Sequence, residues 1–293
     1  MKITTDEALA EAALAASNWG RWGPDDELGT LNYLTAERRR HAVGLAKSGR
    51  VVSLSRETKL DAASGIPRAS HDVFRYPGGG SGDYIGLVFH GHGVTHIDAL
   101  CHIFARGQMY NGYSDEAVLP DGATKLSIDR LGPSGIVGRG VLLDVARVKG
   151  GPLPQSTPIL PQDLEAAEQA QGLSVGEGDI LFVRSGTMHE GVGEEIRSPG
   201  LHADCIPWLF QRRVAVLGGD NANDLYPSGF KRWRLPIHVA AIMYMGLHLV
   251  DNADLEPISA ACAEEGRWEF LLTIAPLRFK GTTGSPVNPL AIF

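Results

Sequence analysis

Cysteine is scarce. Only Cys101, Cys205 and Cys262 occur in 293 residues, and no two of them form a C-x-x-C pair. Thiolate zinc sites and thioredoxin-type chemistry therefore have little support, and the odd, widely spaced set fits a reducing, cytoplasmic setting. A positive surplus is also missing: Lys and Arg number 27 against 34 Asp and Glu, a formal net charge of −7. Neither nucleic acid nor an anionic membrane is expected as a partner. The longest apolar stretch, near residues 239–250, contains His248 and falls short of the ~20 residues a membrane span needs. Asp6, Glu7 and Glu11 break up any apolar segment of a secretory leader. The one G-x-S-x-G match, Gly172-Leu-Ser174-Val-Gly176, follows a predicted helix rather than a strand, so the strand-to-helix elbow of a serine hydrolase has little support. The glycine-rich segment 77–83 lacks the Lys-Ser/Thr that a phosphate loop requires.

What is present reads as a globular enzyme-sized chain. Hydrophobic residues make up 43% and charged ones 21%, so a core can form. There is no repeat and no long linker; Gly150-Gly-Pro-Leu-Pro is short for a boundary. One α/β domain spanning 1–293 with a mixed sheet is the simpler reading. Strands are predicted at 51–55, 141–145, 180–184, 214–217 and 270–274 from their apolar, β-branched runs. A helix is predicted from a Thr4-x-x-Glu7 capping box to Ala16, and another from a Thr35 cap to Lys47, stopped by Gly49. Further helices are predicted at 161–171, where Pro161 and Asp163 suit a first turn, and at 201–211 and 237–244.

One window carries chemistry: Phe89-His90-Gly91-His92-Gly93-Val94-Thr95-His96-Ile97-Asp98-Ala99-Leu100-Cys101-His102. It holds four of the ten histidines beside one carboxylate. On one straight strand, at roughly 3.3 Å per residue, His92 and Asp98 would lie about 20 Å apart and could not share an ion. Gly91 and Gly93 permit the bend that is required. Asp98 and His102, spaced i, i+4, would meet on one helical face. The expected local structure is thus a strand end, a glycine bend and the start of a helix. Imidazole and carboxylate suit zinc, manganese or iron, and three protein ligands leave a position open for catalysis.

The pattern His92-x-x-x-His96-x-Asp98-x-x-x-His102 resembles the H-x-G-T-H-x-D-x-P-x-H signature of the cyclase family, which includes bacterial kynurenine formamidases, isatin hydrolases and polyketide-cyclase-like proteins. The block Trp22-Gly-Pro-Asp-Asp-Glu-Leu-Gly-Thr-Leu-Asn32 is similar to the N-terminal block of one branch. Ala275-Pro-Leu-Arg-Phe and the tail from Gly284 to Ile292 are similar to its closing strand. The resemblance implies a swivelling β/β/α-type fold with a small barrel-like sheet. It places metal ligands at His92, His96 and Asp98, and an acid/base at His102. It matches a later metal histidine to His238 and, less closely, a carboxylate to Asp251, where formamidases carry Glu. Within the signature, Gly93-Val94 stands for x-Gly and Leu100 for Pro, changes that touch loop shape rather than the ligand set.

The chemistry also follows from residue types. A bound divalent ion, zinc or manganese as one or two ions, acidifies water and polarises a carbonyl. A nearby imidazole, with His102 the natural candidate, moves the proton. Other residues have both functional and plain readings. Asp220, in Gly218-Gly-Asp220-Asn-Ala-Asn-Asp224, could face a site at a strand end or close an Asx-turn. Arg184 could bind a carboxylate or serve in an ion pair. Phe74, Tyr76, Trp208 and Trp233 could line an aromatic pocket or be core. His189 and His202 read as rim histidines, and Cys101 as a small buried side chain.

The expected function is a metal-dependent hydrolase that opens a small linear or cyclic amide, imide or ester, kynurenine-formamidase-like by resemblance. Two alternatives stay open. One is a non-haem iron oxygenase using His90, His92 and Asp98; the other is a non-catalytic metal-binding protein. A small-molecule substrate is expected, and a homodimer is expected to use part of the Trp-rich N-terminal segment.

Overall fold

The structure, a computed structural model, describes residues 2–58, 60, 69–191 and 195–293. The order of its elements follows from apolar strands that alternate with helices through the middle of the chain. Ile136–Asp144, Ile180–Arg184, Val216–Gly219 and His248–Asp251 are four parallel neighbours. Pro161–Gln171 and Cys205–Arg212 are the helices between the first three. Every residue of the last three strands is buried, as parallel strands covered on both faces require.

Antiparallel strands extend this centre on both sides. The nine-stranded order is Val51–Ser53, Leu290–Ile292, Glu269–Ile274, Ile136–Asp144, Ile180–Arg184, Val216–Gly219, His248–Asp251, His96–Asp98 and Gly284–Pro286. The result is an α/β fold with a curled, mixed sheet forming a half-barrel, as expected. A separate hairpin, Ala69–Arg75 with Ser81–Leu87, stands apart from the sheet.

The fold places chemistry at strand ends. Asp251 ends a parallel strand and sits in register with His96 across an antiparallel pair. On the other side of His96–Asp98 lies Gly284, opposite Asp98. A Cβ at Gly284 would stand 2.6 Å from the Ile97 carbonyl oxygen and 2.9 Å from His90 Cε1. Only glycine lets the closing strand lie this near the histidine window.

Several elements differ from the sequence expectation. His96–Asp98 is a strand rather than a prelude to helix, and residues 100–102 form a turn closed by His102 N donating to the Ala99 carbonyl at 3.0 Å. Strands from residues 248–251 and 284–286 flank this segment and take its backbone groups, so no helical face can form. The first helix is Asp6–Ala15, capped by Thr5, whose hydroxyl accepts from Ala8 N at 3.2 Å. The cap is one residue later than Thr4, and its third position is Ala8, so no reciprocal box exists. Thr35 does cap the second helix, but it ends at Val43, ahead of Lys47. In the 201–211 segment, Gly200–Leu201 pairs with Pro158–Ile159 and the helix starts at Cys205. The 237–244 segment is a turn of α-helix, Pro236–His238, that widens into a π-helix, Val239–Met245.

The tryptophans of the N-terminal loop pack within their own chain. Trp19 stacks on Tyr244 with centroids 6.1 Å apart and donates from Nε1 to the Met243 carbonyl at 2.7 Å. Trp22 meets the edge of Tyr33 at 5.1 Å. All three cysteines are free and buried, and burial pushes the Cys101 thiol up to about 12, which makes it an inert core side chain.

Candidate metal centre

Asp98 is the hub of the site. It is fully buried, and neither carboxylate oxygen receives a hydrogen bond of acceptable geometry. A buried carboxylate left so costs several kcal/mol unless charge or a cation answers it. Ring nitrogens surround it instead. His90 Nδ1 is 3.1 Å from Oδ1, His96 Nε2 3.5 Å and His102 Nε2 3.9 Å. His238 Nε2 is 3.6 Å from Oδ2. Burial works against the charge on Asp98, but His102, His90, His96 and His238 outweigh it and hold the carboxyl well below its usual range.

Two trios of donor atoms lie close enough to grip one ion: His96 with Asp98 and Asp251, and His90 with Asp98 and His102. Both contain Asp98. The donor set is oxygen and imidazole nitrogen, which fits zinc or manganese. Among the described residues His92 belongs to neither trio. Its ring lies against His189 at 4.4 Å, its Nδ1 is buried without a partner, and it feels the charges of Asp251, His238 and His96. The His90–His92–Asp98 triad of the iron reading is therefore not drawn together here.

The imidazoles are oriented from behind. His96 Nδ1 lies 2.8 Å from the Val94 carbonyl oxygen, to which it can only donate, so the lone pair falls on Nε2, facing Asp98. His238 is held the same way by Asp224. Its Nδ1 is 2.6 Å from Asp224 Oδ2, and Asp224 also accepts from Ile237 N at 2.7 Å and His238 N at 3.1 Å. Its Nε2 then points at Asp251 Oδ2, 3.2 Å away. Asn223 donates to the other Asp251 oxygen at 2.6 Å. No motif spacing singles out Asp224 or Asn223; the signal was the acidic block after the strand ending at Gly219.

Protonation states differ across the cluster. Burial lowers His102 to about 4 despite the opposing pull of Asp98, so its imidazole is neutral near pH 7 and can accept a proton. Burial also lowers His92 to about 4. Burial opposes charge on His238 too, but Asp251 and Asp224 prevail and raise it well above the ordinary value. Without a cation His238 carries the positive charge that the acids demand.

The other candidates take plainer roles. Asp220 accepts from Ser185 N at 2.9 Å, Gly186 N at 2.7 Å and Ser185 Oγ at 2.8 Å, which clasps the loop after the strand ending at Arg184. Arg184 is spent on Asp144, at 2.7 Å, and on a two-pronged pair with Glu256, both prongs 2.8 Å. Trp208 is buried in the core, while Phe74 and Tyr76 pack edge to face on the exposed hairpin. Trp233 does line a cavity, of about 490 Å³, that opens onto His102.

An α/β fold that gathers buried imidazoles and carboxylates beside a cavity defines the class: a protein with a buried donor set of the kind that suits a divalent cation. The chain belongs to the cyclase family, described as "Putative cyclase", which matches residues 34–223. A solved structure described as a novel cyclase is 32% identical with a TM-score of 0.84, covering 94% of this chain and 97% of its own. Isatin hydrolase A from Labrenzia aggregata, bound to benzyl benzoate, is 19% identical with a TM-score of 0.56, covering 87% of this chain and 98% of its own. A "predicted metal-dependent hydrolase" from Bacillus stearothermophilus is 17% identical with a TM-score of 0.52, covering 83% and 97%. These last two share the fold. No curated protein matches the chain. Among the described residues no helix is long and apolar enough to cross a membrane.

Proposed function

We propose that this protein is a metal-dependent hydrolase that cleaves the C–N or C–O bond of a small amide, lactam or ester, with kynurenine-formamidase-like or isatin-hydrolase-like substrates as the nearest class. The observation that carries the reading is the buried Asp98 carboxylate with two unpartnered oxygens amid four imidazoles. Family membership and the hydrolase-like folds of the similar structures support it.

His96, Asp98, Asp251 and His238 Nε2 would hold the ion, zinc or manganese, with His92 beside them. When bound, the ion supplies Lewis acidity toward a carbonyl oxygen and toward water. The chain does the rest. Asp224 and the Val94 carbonyl fix the ring orientations of His238 and His96. His102, neutral and lining the cavity, takes a proton from the attacking water at Nε2 and returns it to the leaving nitrogen or oxygen. The trio His90–Asp98–His102 competes with this role, because a second ion there would use His102 as a ligand.

The test is a panel of N-formyl arylamines, lactams and aryl esters assayed with chelator-stripped protein before and after zinc or manganese is restored. Metal-restored hydrolysis that disappears in Asp98→Asn supports the proposal. Equal activity with and without metal, or none on any substrate with metal bound, overturns it.

A further inference from the structure

The bend that carries His92 and His96 is not closed by its own residues. Residues 91–94 form neither strand nor helix, and Gly91 takes φ 125°, a backbone that glycine adopts readily and other residues do not. What holds the bend is one side chain 161 residues further on. Asn252 is 1% exposed and follows the strand ending at Asp251. Its Nδ2 lies 2.6 Å from the Gly91 carbonyl oxygen and 3.1 Å from that of Val94. Carbonyls only accept, so the amide must turn its NH2 to both, which fixes its orientation.

Those two carbonyls bracket His92. The Val94 oxygen also accepts from His96 Nδ1 at 2.8 Å, the contact that sets the His96 tautomer. One amide thus bears on both histidines of the bend. The clasp is reciprocal. Thr95 Oγ1, inside the histidine window, donates to the Asn252 carbonyl at 2.7 Å, and Arg56 Nε donates to the same oxygen at 2.9 Å. Asn252 N donates to the Asn221 carbonyl at 3.0 Å. Asn252 has φ 57°, the left-handed region, which asparagine tolerates better than most side chains. Two consecutive residues therefore serve the centre: Asp251 offers it a carboxylate, and Asn252 turns back to shape the loop.

We propose that Asn252 is a positioning residue of the metal centre, its amide setting the bend that brings His96, with His92 beside it, against Asp98 and Asp251. The position asks for two donors, a short stem and a left-handed backbone together. Aspartate matches the shape and tolerates the backbone, but its carboxylate donates nothing and sets an oxygen against two carbonyl oxygens. Glycine keeps the backbone and supplies no donor. The inference rests on the metal-dependent reading of the site.

Zinc titration by calorimetry of the full, chelator-stripped chain tests it in the parent, Asn252→Asp and Asn252→Gly. Asn252→Asp is expected to bind zinc about 10–100-fold more weakly than the parent, and Asn252→Gly about tenfold more weakly. Cobalt(II) taken up in place of zinc reports coordination geometry in its visible bands, which should differ from the parent's in both variants. A clasp that served only the fold would lower the melting temperature and leave both readouts unmoved in the folded protein. If Asn252→Asp does not fold, Asn252→Gly carries the test. Folded variants with the parent's zinc affinity and cobalt spectrum overturn the inference and leave the metal reading intact. A parent that takes up neither ion overturns the metal reading and this inference with it.

Discussion

Replacing Asp224 with Asn perturbs the centre without removing any atom proposed to hold the ion. A carboxylate only accepts, and both Asp224 oxygens face donors: Ile237 N at 2.7 Å, His238 N at 3.1 Å and His238 Nδ1 at 2.6 Å. An Asn must turn its NH2 toward at least one of them. With its carbonyl kept on Ile237 N, the amide nitrogen faces His238, whose Nδ1 must then accept rather than donate. The imidazole proton moves to Nε2, which points at Asp98 and Asp251, and the lone pair needed for an ion is lost. Partners of this kind change metal affinity by about 10–100-fold, or about 1.4–2.7 kcal/mol. The lost charge-assisted hydrogen bond costs about 1.5–3 kcal/mol of stability in the metal-free protein. Zinc titration of stripped Asp224→Asn by calorimetry reads the first, and urea unfolding in chelator reads the second. A folded variant that binds zinc as the parent does would refute the claim that Asp224 sets the His238 tautomer for the ion.

Three further outcomes are expected. The raised pKa of His238 stabilises the stripped protein fully below its ordinary value of 6.5, and this contribution is lost as pH rises through the raised value. The melting temperature of stripped protein should therefore fall as pH climbs above neutral, while zinc affinity rises over the same range as Nε2 gives up its proton; a flat response of both contradicts this. His102→Ala should keep its metal and lose about 10²–10⁴ in turnover, and a variant that loses the metal would make His102 a ligand instead. Arg184→Met leaves the fully buried Asp144 with Arg147, at 3.3 Å, as its remaining cation and should cost about 1.5–3 kcal/mol in urea unfolding, whereas a cost under about 0.5 kcal/mol would deny the pair its structural role.

The sequence revealed chemistry better than it revealed geometry. His96, Asp98 and His102 stood out by residue type and motif, His238 and Asp251 only through the family resemblance, and the fold brings these five side chains together. The glycine bend was legible too, since a straight strand would separate His92 from Asp98. The helix expected after it was not formed. Its backbone is claimed by strands more than 150 residues away, and periodicity within the window carries no trace of them. Asp220 and Asp224 illustrate the same limit. Both stand in one block after a strand, yet one ties down a neighbouring loop and the other orients His238, a difference set by the path of residues 225–236.

The central claim is that this cluster holds a catalytic cation, and metal content tests it most directly. Tag-free protein purified without chelators, and the same protein carrying Asp98→Asn, would be measured by elemental analysis. One equivalent of zinc or manganese per chain, absent in the variant, is predicted. No metal in the parent, even after incubation with either ion, would mean that the imidazoles and acids merely neutralise one another, and the hydrolase proposal would be withdrawn.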